Sequence, residues 1–155
     1  RFIADTSGEA LIETLRKGVY LIKPNARELA AFAGVNVLSE AEIIKVAKEI
    51  ICKKRCEVVV VSMGEAGAML VTADNSIKVT APRVQRISTV GAGDSMLAGI
   101  VYSLSTGKNL LEAVQFGVAC GTAATLNTGT AVCKKEDALL LFEDVRKKQL
   151  LTTSI

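Results

Sequence analysis

The chain has 155 residues, with 19 Lys and Arg against 16 Asp and Glu for a net charge of +3, and half of it is hydrophobic although only 4% is aromatic. That balance fits one globular domain with an aliphatic core and excludes a disordered chain. With no His at all, Ser-His-Asp, Cys-His and His-ligated metal mechanisms are excluded, and the few aromatic residues argue against a base-stacking surface for single-stranded nucleic acid.

The small charge surplus predicts neither nucleic-acid nor membrane binding. Cys52, Cys56, Cys120 and Cys133 form no C-x-x-C pair, and no apolar run approaches the ~20 residues a membrane-crossing helix needs. Reduced thiols and a cytoplasmic location are therefore expected.

Arg1 to Asp5 reads as a buried strand without lead-in, which suggests a piece of a longer chain. Ser7 to Lys17 has helical apolar spacing and Gly18 stops it; Val19 to Ile22 is the next strand. Asn25 can cap a helix from Ala26 to Ala33. A further helix starts at Ser39, where Ser39 and Glu42 make a capping box and Leu38 can staple to Ile43. Val58 to Val61, within a strand from Glu57 to Met63, are apolar on both faces, as in a central parallel strand. Ala68 to Thr72 and Ile77 to Thr80 suggest a hairpin turning at Asp74 to Ser76, followed by a short strand near Val84. Three helices complete the chain: about Gly93 to Leu104, Asn109 to about Leu126, and Lys135 to Lys148. The second of these is rich in small residues that permit close packing. Alternating strands and helices predict a layered α/β fold with a mostly parallel sheet.

In such sheets ligands bind beyond the carboxyl ends of the strands. Three polar or Gly-rich segments fall there: 23–28, 62–67 and 88–94. In Thr89-Val90-Gly91-Ala92-Gly93-Asp94-Ser95, two glycines let the backbone approach a ligand where a helix begins, so several N–H groups converge on an anion. Asp94 beside that site could accept a proton from an attacking hydroxyl, which suits phosphoryl transfer. A plain Gly turn with an Asp stabilising the helix start is the alternative. Asn25 and Glu28, three apart on one helix face, suit a hydrated Mg²⁺, and Lys23 a phosphate; a simple capping box explains the same spacing. Ser62-Met63-Gly64-Glu65-Ala66-Gly67 could wrap a nucleotide or be a tight turn. Neither a Walker A sequence nor G-x-G-x-x-G is present, which argues against the common dinucleotide and P-loop sites.

Taken together, these segments resemble the ribokinase/PfkB family of sugar kinases. Ser88 to Ser95 is similar to its C-terminal signature, Lys23-Pro24-Asn25 with Glu28 to its N-x-x-E region, and Val60 to Gly64 with Gly67 to its nucleotide loop. Phe116 to Ala119 through Ala123 to Asn127, with Gly129-Thr130, resembles the phosphofructokinase branch. The resemblance implies a three-layer α/β/α ribokinase-like (Rossmann-like) fold, of which residues 1–155 are the C-terminal, nucleotide-binding part. The sugar-binding part and lid lie elsewhere, and the isolated chain is expected to be nearly inactive. The implied reaction is ATP-dependent phosphorylation of a sugar phosphate, fructose 6-phosphate to fructose 1,6-bisphosphate in glycolysis. Fructose 1-phosphate or tagatose 6-phosphate as acceptor, and a non-catalytic nucleotide-binding module, are the alternatives. By resemblance Asp94 is the base and binds the acceptor, and the amides of Gly91, Ala92, Gly93 and Asp94 form the anion hole. Lys23, Asn25, Ser62, Met63, Gly64, Glu65, Ala66, Gly67, Arg86, Val118 and Thr122 attend ATP. Asn25 and Glu28 organise Mg²⁺, and Ser88, Val90, Ala124, Asn127 and Gly129 offer oxygens to K⁺. A homodimer is implied for the full-length protein, with no nucleic-acid or membrane partner.

Overall fold

Val58 to Val61 carry no polar side chain toward either face, and in the computed structural model they occupy the central strand of a five-stranded sheet. Residues 1–128 and 133–153 are described, with side chains to residue 150. Gly129 and Thr130 thus lie outside the described residues. The chain divides into two compact units, residues 1–64 with 69–78, and 65–68 with 79–155.

In chain order the first elements are β1 (Ile3–Ala4), α1 (Gly8–Lys17), β2 (Val19–Ile22), α2 (Ala26–Phe32), α3 (Glu40–Cys52) and β3 (Cys56–Ser62). Then come a 3₁₀ turn (Gly64–Ala66), β4 (Ala68–Val71) and β5 (Ser76–Val79). The strands lie side by side in the order β1-β2-β3-β4-β5. β1, β2 and β3 are parallel, with Ile3 opposite Leu21 and Leu21 opposite Val58. The short connections after β3 and β4 permit only antiparallel neighbours, so the expected hairpin completes an otherwise parallel sheet.

The first unit's core forms where apolar faces of helices meet strand residues of one parity. Leu11 and Leu15 of α1, Leu29 of α2, and Ile43, Ala47 and Ile50 of α3 pack with Ile22, Val59, Val61, Met69 and Val71. Each such aliphatic side chain contributes roughly 1.5–3 kcal/mol by leaving water. The starts of α2 and α3 are fixed locally by complete capping boxes, Asn25 with Glu28 and Ser39 with Glu42. Leu38 and Ile43, the expected staple, share the same core.

The second unit holds α4 (Ala92–Ser105), α5 (Leu110–Ala124) and α6 (Lys135–Thr153), which runs past the expected end at Lys148. α4 and α5 approach so closely that a Cβ at Gly117 would lie 2.5 Å from Ile100 Cγ1 and 2.8 Å from the Met96 carbonyl oxygen. Phe116 links the helices further, its ring 6.1 Å from Tyr102 and 5.3 Å, edge-on, from Phe142.

The strand expected near Val84 does not form. Residues 83–88 do alternate between exposed and half-buried, but their neighbour is a helix end rather than a strand. The Ile87 and Ser88 N–H groups both donate to the Thr125 carbonyl, at 2.8 and 3.3 Å, and Pro82 has no N–H to give. No helix among the described residues is long and apolar enough to cross a membrane.

Candidate active site

In the second unit, Gly91 caps α4 with φ +74° and ψ 0°, a left-handed conformation that costs a side-chain-bearing residue but not glycine. Helix geometry leaves the first N–H groups without intrahelical acceptors. Here the Ala92 N–H makes a long 3.4 Å contact to the Thr89 carbonyl, and the Val90 N–H donates to Ser88 Oγ at 3.2 Å. The amides of Gly91, Gly93 and Asp94 have no acceptor among the described residues. Asp94, the third residue of α4, is exposed, and its carboxylate makes no ion pair or hydrogen bond among them. A carboxylate therefore stands beside open N–H donors at the positive end of a helix dipole.

The end of α5 supports this loop. A Cβ at Gly121 would come within 3.0 Å of the Ala92 carbonyl oxygen, so a glycine there lets α5 sit directly under the start of α4. Beyond it, the Thr125 carbonyl holds the Ile87 and Ser88 amides. The Thr125 hydroxyl donates to the Thr122 carbonyl at 2.7 Å, and the Thr122 hydroxyl to the Val118 carbonyl at 2.8 Å. Val118 and Thr122, assigned above to the nucleotide, are 4% and 7% exposed, so their side chains serve the interior of the unit. Of the residues assigned to K⁺, Ser88 is tied to Thr125 through its N–H, and Ala124 and Asn127 lie beside Thr125 in the chain. The Ala124 carbonyl accepts the Asn127 N–H at 3.3 Å, and Gly129 is outside the described residues.

The nucleotide-loop residues Glu65 and Ala66 line a groove of about 630 Å³ with Pro82, Arg83, Val84 and Arg86, in which Arg86 pairs with Glu65. Gly67 closes that loop with φ +97°, and a Cβ there would lie 2.0 Å from the Val79 carbonyl oxygen. No other residue fits.

In the first unit the ends of β2 and β3 bring two predicted segments together. The Ser62 N–H donates to the Pro24 carbonyl at 3.0 Å, and Asn25 bridges to Ser62. Asn25 Oδ1 accepts the Glu28 N–H at 2.9 Å and Glu28 Oε2 accepts the Asn25 N–H at 2.8 Å, so the capping box is real. It leaves Glu28 Oε1 without a hydrogen bond among the described residues, and one carboxylate oxygen beside an amide fits a Mg²⁺ that keeps most of its water. Among the described residues no three acidic or Cys side chains cluster as a self-sufficient metal cage. Ser62, Gly64 and half-buried Met63 follow directly, Met63 packing against the core.

Lys23, assigned above to the phosphates, lies in the interior with a carboxylate partner. It is 4% exposed, and its ammonium is 2.9 Å from Asp5 Oδ2. Burial of an ammonium requires such a partner. Sequence reading missed Asp5 because the pairing depends on β1 lying beside β2, although its place at a strand's carboxyl end was a usable signal.

Residues 1–137 match the family described as pfkB family carbohydrate kinase. The chain is 43% identical over 143 residues to the ATP-dependent 6-phosphofructokinase isozyme 2 of Escherichia coli (strain K12), covering 92% of this chain and 46% of that protein. It is 34% identical over 154 residues to the 1-phosphofructokinase of Borreliella burgdorferi, covering 99% and 49%. The crystal structure of phosphofructokinase-2 from Escherichia coli in complex with potassium superposes with a TM-score of 0.90 at 41% identity, over 94% of this chain and 48% of that one. The chain thus spans about half the length of the relatives it matches, and its fold is of the ribokinase-like α/β class. On both the family match and these identities, the chain belongs to the pfkB family of carbohydrate kinases.

Proposed function

We propose that the protein carrying this chain transfers the terminal phosphoryl group of ATP to a sugar phosphate, with fructose 6-phosphate as acceptor, and that residues 1–155 are its nucleotide-binding part. The observation that carries this reading is the exposed Asp94 carboxylate beside the open amides of Gly91, Gly93 and Asp94 at the start of α4. Asp94 accepts the proton of the attacking hydroxyl, and the amides neutralise charge on the moving phosphoryl group. Ser62 to Gly67 and Arg86 receive the nucleotide. Asn25 and Glu28 hold a hydrated Mg²⁺, which supplies charge neutralisation at the ATP phosphates. The Lys23–Asp5 pair adds fixed charge at the carboxyl ends of β1 and β2. Carbonyl oxygens near Thr125 suit K⁺.

Identity favours fructose 6-phosphate, at 43% to a 6-phosphofructokinase, but similarity to a 1-phosphofructokinase over 99% of the chain supports fructose 1-phosphate as the second reading. The test is direct. The intact protein is incubated with MgATP and each sugar phosphate in turn, tagatose 6-phosphate included, and products are identified by phosphorus NMR. Fructose 1,6-bisphosphate formed fastest from fructose 6-phosphate supports the proposal. Faster reaction of another acceptor corrects the substrate, and ATP binding without any transfer makes the chain a nucleotide-binding module.

A further inference from the structure

Asp5 follows the last residue of β1 and Lys23 the last residue of β2. Because Ala4 lies opposite Ile22 in the parallel register, the two leave their strands at the same level, and the Lys23 N–H donates to the Ala4 carbonyl at 3.1 Å. The Lys23 ammonium is buried, and its one acceptor among the described residues is Asp5 Oδ2 at 2.9 Å. An ammonium carries three N–H donors, so two are left without a protein acceptor where water hardly reaches. A pair that served the fold alone would leave those donors as a cost, and an apolar pair of similar size would serve as well. The surroundings give the spare donors a use. The Pro24 carbonyl beside Lys23 accepts the Ser62 N–H, and Asn25 bridges to Ser62, so the ammonium belongs to the same end of the sheet as the residues proposed to receive MgATP.

We propose that Asp5 is a positioning residue, whose carboxylate holds the Lys23 ammonium at the carboxyl ends of β1 and β2 so that its remaining donors are offered to a phosphate oxygen of ATP. A lysine head rides on a flexible four-carbon stem, and tying one donor to a carboxylate on the neighbouring strand removes that freedom before the nucleotide arrives. The same carboxylate offsets the cost of keeping the ammonium inside. Asp5 does not itself touch the nucleotide in this arrangement. Its negative charge repels a phosphate, so whatever it contributes to binding passes through Lys23. The inference rests on the nucleotide-binding reading given above and assigns Asp5 a part in it.

The test compares the affinities of the intact protein for MgATP and for adenosine, which lacks phosphates, by titration calorimetry. Asp5→Ala should weaken MgATP about 10–100-fold, as much as Lys23→Met does, and leave adenosine unchanged. Asp5→Asn keeps the shape and an acceptor oxygen but not the charge, so it should fall between Asp5→Ala and the parent; it carries the same comparison if Asp5→Ala fails to fold. With Lys23→Met already present, Asp5→Ala should cost no further affinity for MgATP. Equal losses for MgATP and adenosine would make Asp5 structural support only and overturn the proposal. So would MgATP bound as tightly as by the parent, or more tightly, after Asp5→Ala, and so would losses that add in the double variant. A parent that binds MgATP no better than adenosine, or binds neither, would overturn the nucleotide-binding reading itself and this inference with it.

Discussion

Gly67 shows how much one residue can decide. Its φ of +97° disfavours any side chain, and the 2.0 Å approach of the Val79 carbonyl leaves no room for a methyl group. Gly67→Ala should cost on the order of 3 kcal/mol, from strain and overpacking together, read as a shift in the urea midpoint at unchanged slope. Cys56 makes a different prediction at the same scale. Burial pushes its thiol up to about 11 from an ordinary 9.0. A thiol kept protonated in the folded state favours folding fully below pH 9. Above that the unfolded chain ionises first, so the contribution is lost as pH rises from 9.0 toward 11. Urea titrations across that range should show the Cys56→Ala variant losing less stability with pH than the parent; parallel curves would remove Cys56 as the cause.

At the scale of elements, local chemistry was legible and long-range chemistry was not. The caps at Asn25 and Ser39 formed as the sequence implied, because a capping box involves residues only three apart, and Asn109 with Glu112 makes a third at the start of α5. The close packing of α5 was readable too, from its small residues. The Lys23–Asp5 pair was hidden because parallel strand register, not spacing, brings the two together. The support from Thr125 was hidden because a carbonyl leaves no mark on residue type, and the amides of Ile87 and Ser88 go to that carbonyl rather than to a neighbouring strand. Two substitutions probe these elements. Gly117→Ala should cost about 1–3 kcal/mol by forcing α4 and α5 apart, and calorimetry should show a lowered Tm. Asn25→Ala removes a cap and should cost about 0.5–2 kcal/mol. If Asn25 also serves the nucleotide, that variant should weaken MgATP binding more than binding of metal-free ATP; equal effects would leave it a cap only.

The whole molecule places its chemistry-bearing segments on loops held by rigid elements, the α4 start by α5 and the β2 and β3 ends by a sheet whose central residues, Leu21, Ile22 and Val58 to Val61, are buried. Relatives about twice as long share this fold closely over the matched half, and both the loops' roles and the acceptor's contacts belong to the proposal. For that reason the 155-residue chain alone is predicted to bind MgATP while turning over far more slowly than the intact protein, a comparison that calorimetry and a coupled assay make directly. The central claim, that the start of α4 is where phosphoryl transfer occurs with Asp94 as base, is tested most directly by Asp94→Ala in the intact protein, measuring turnover and ATP affinity together. The account predicts that kcat falls by roughly 10²–10⁴-fold with ATP affinity unchanged; turnover retained in full, or lost only in proportion to ATP affinity, would contradict it.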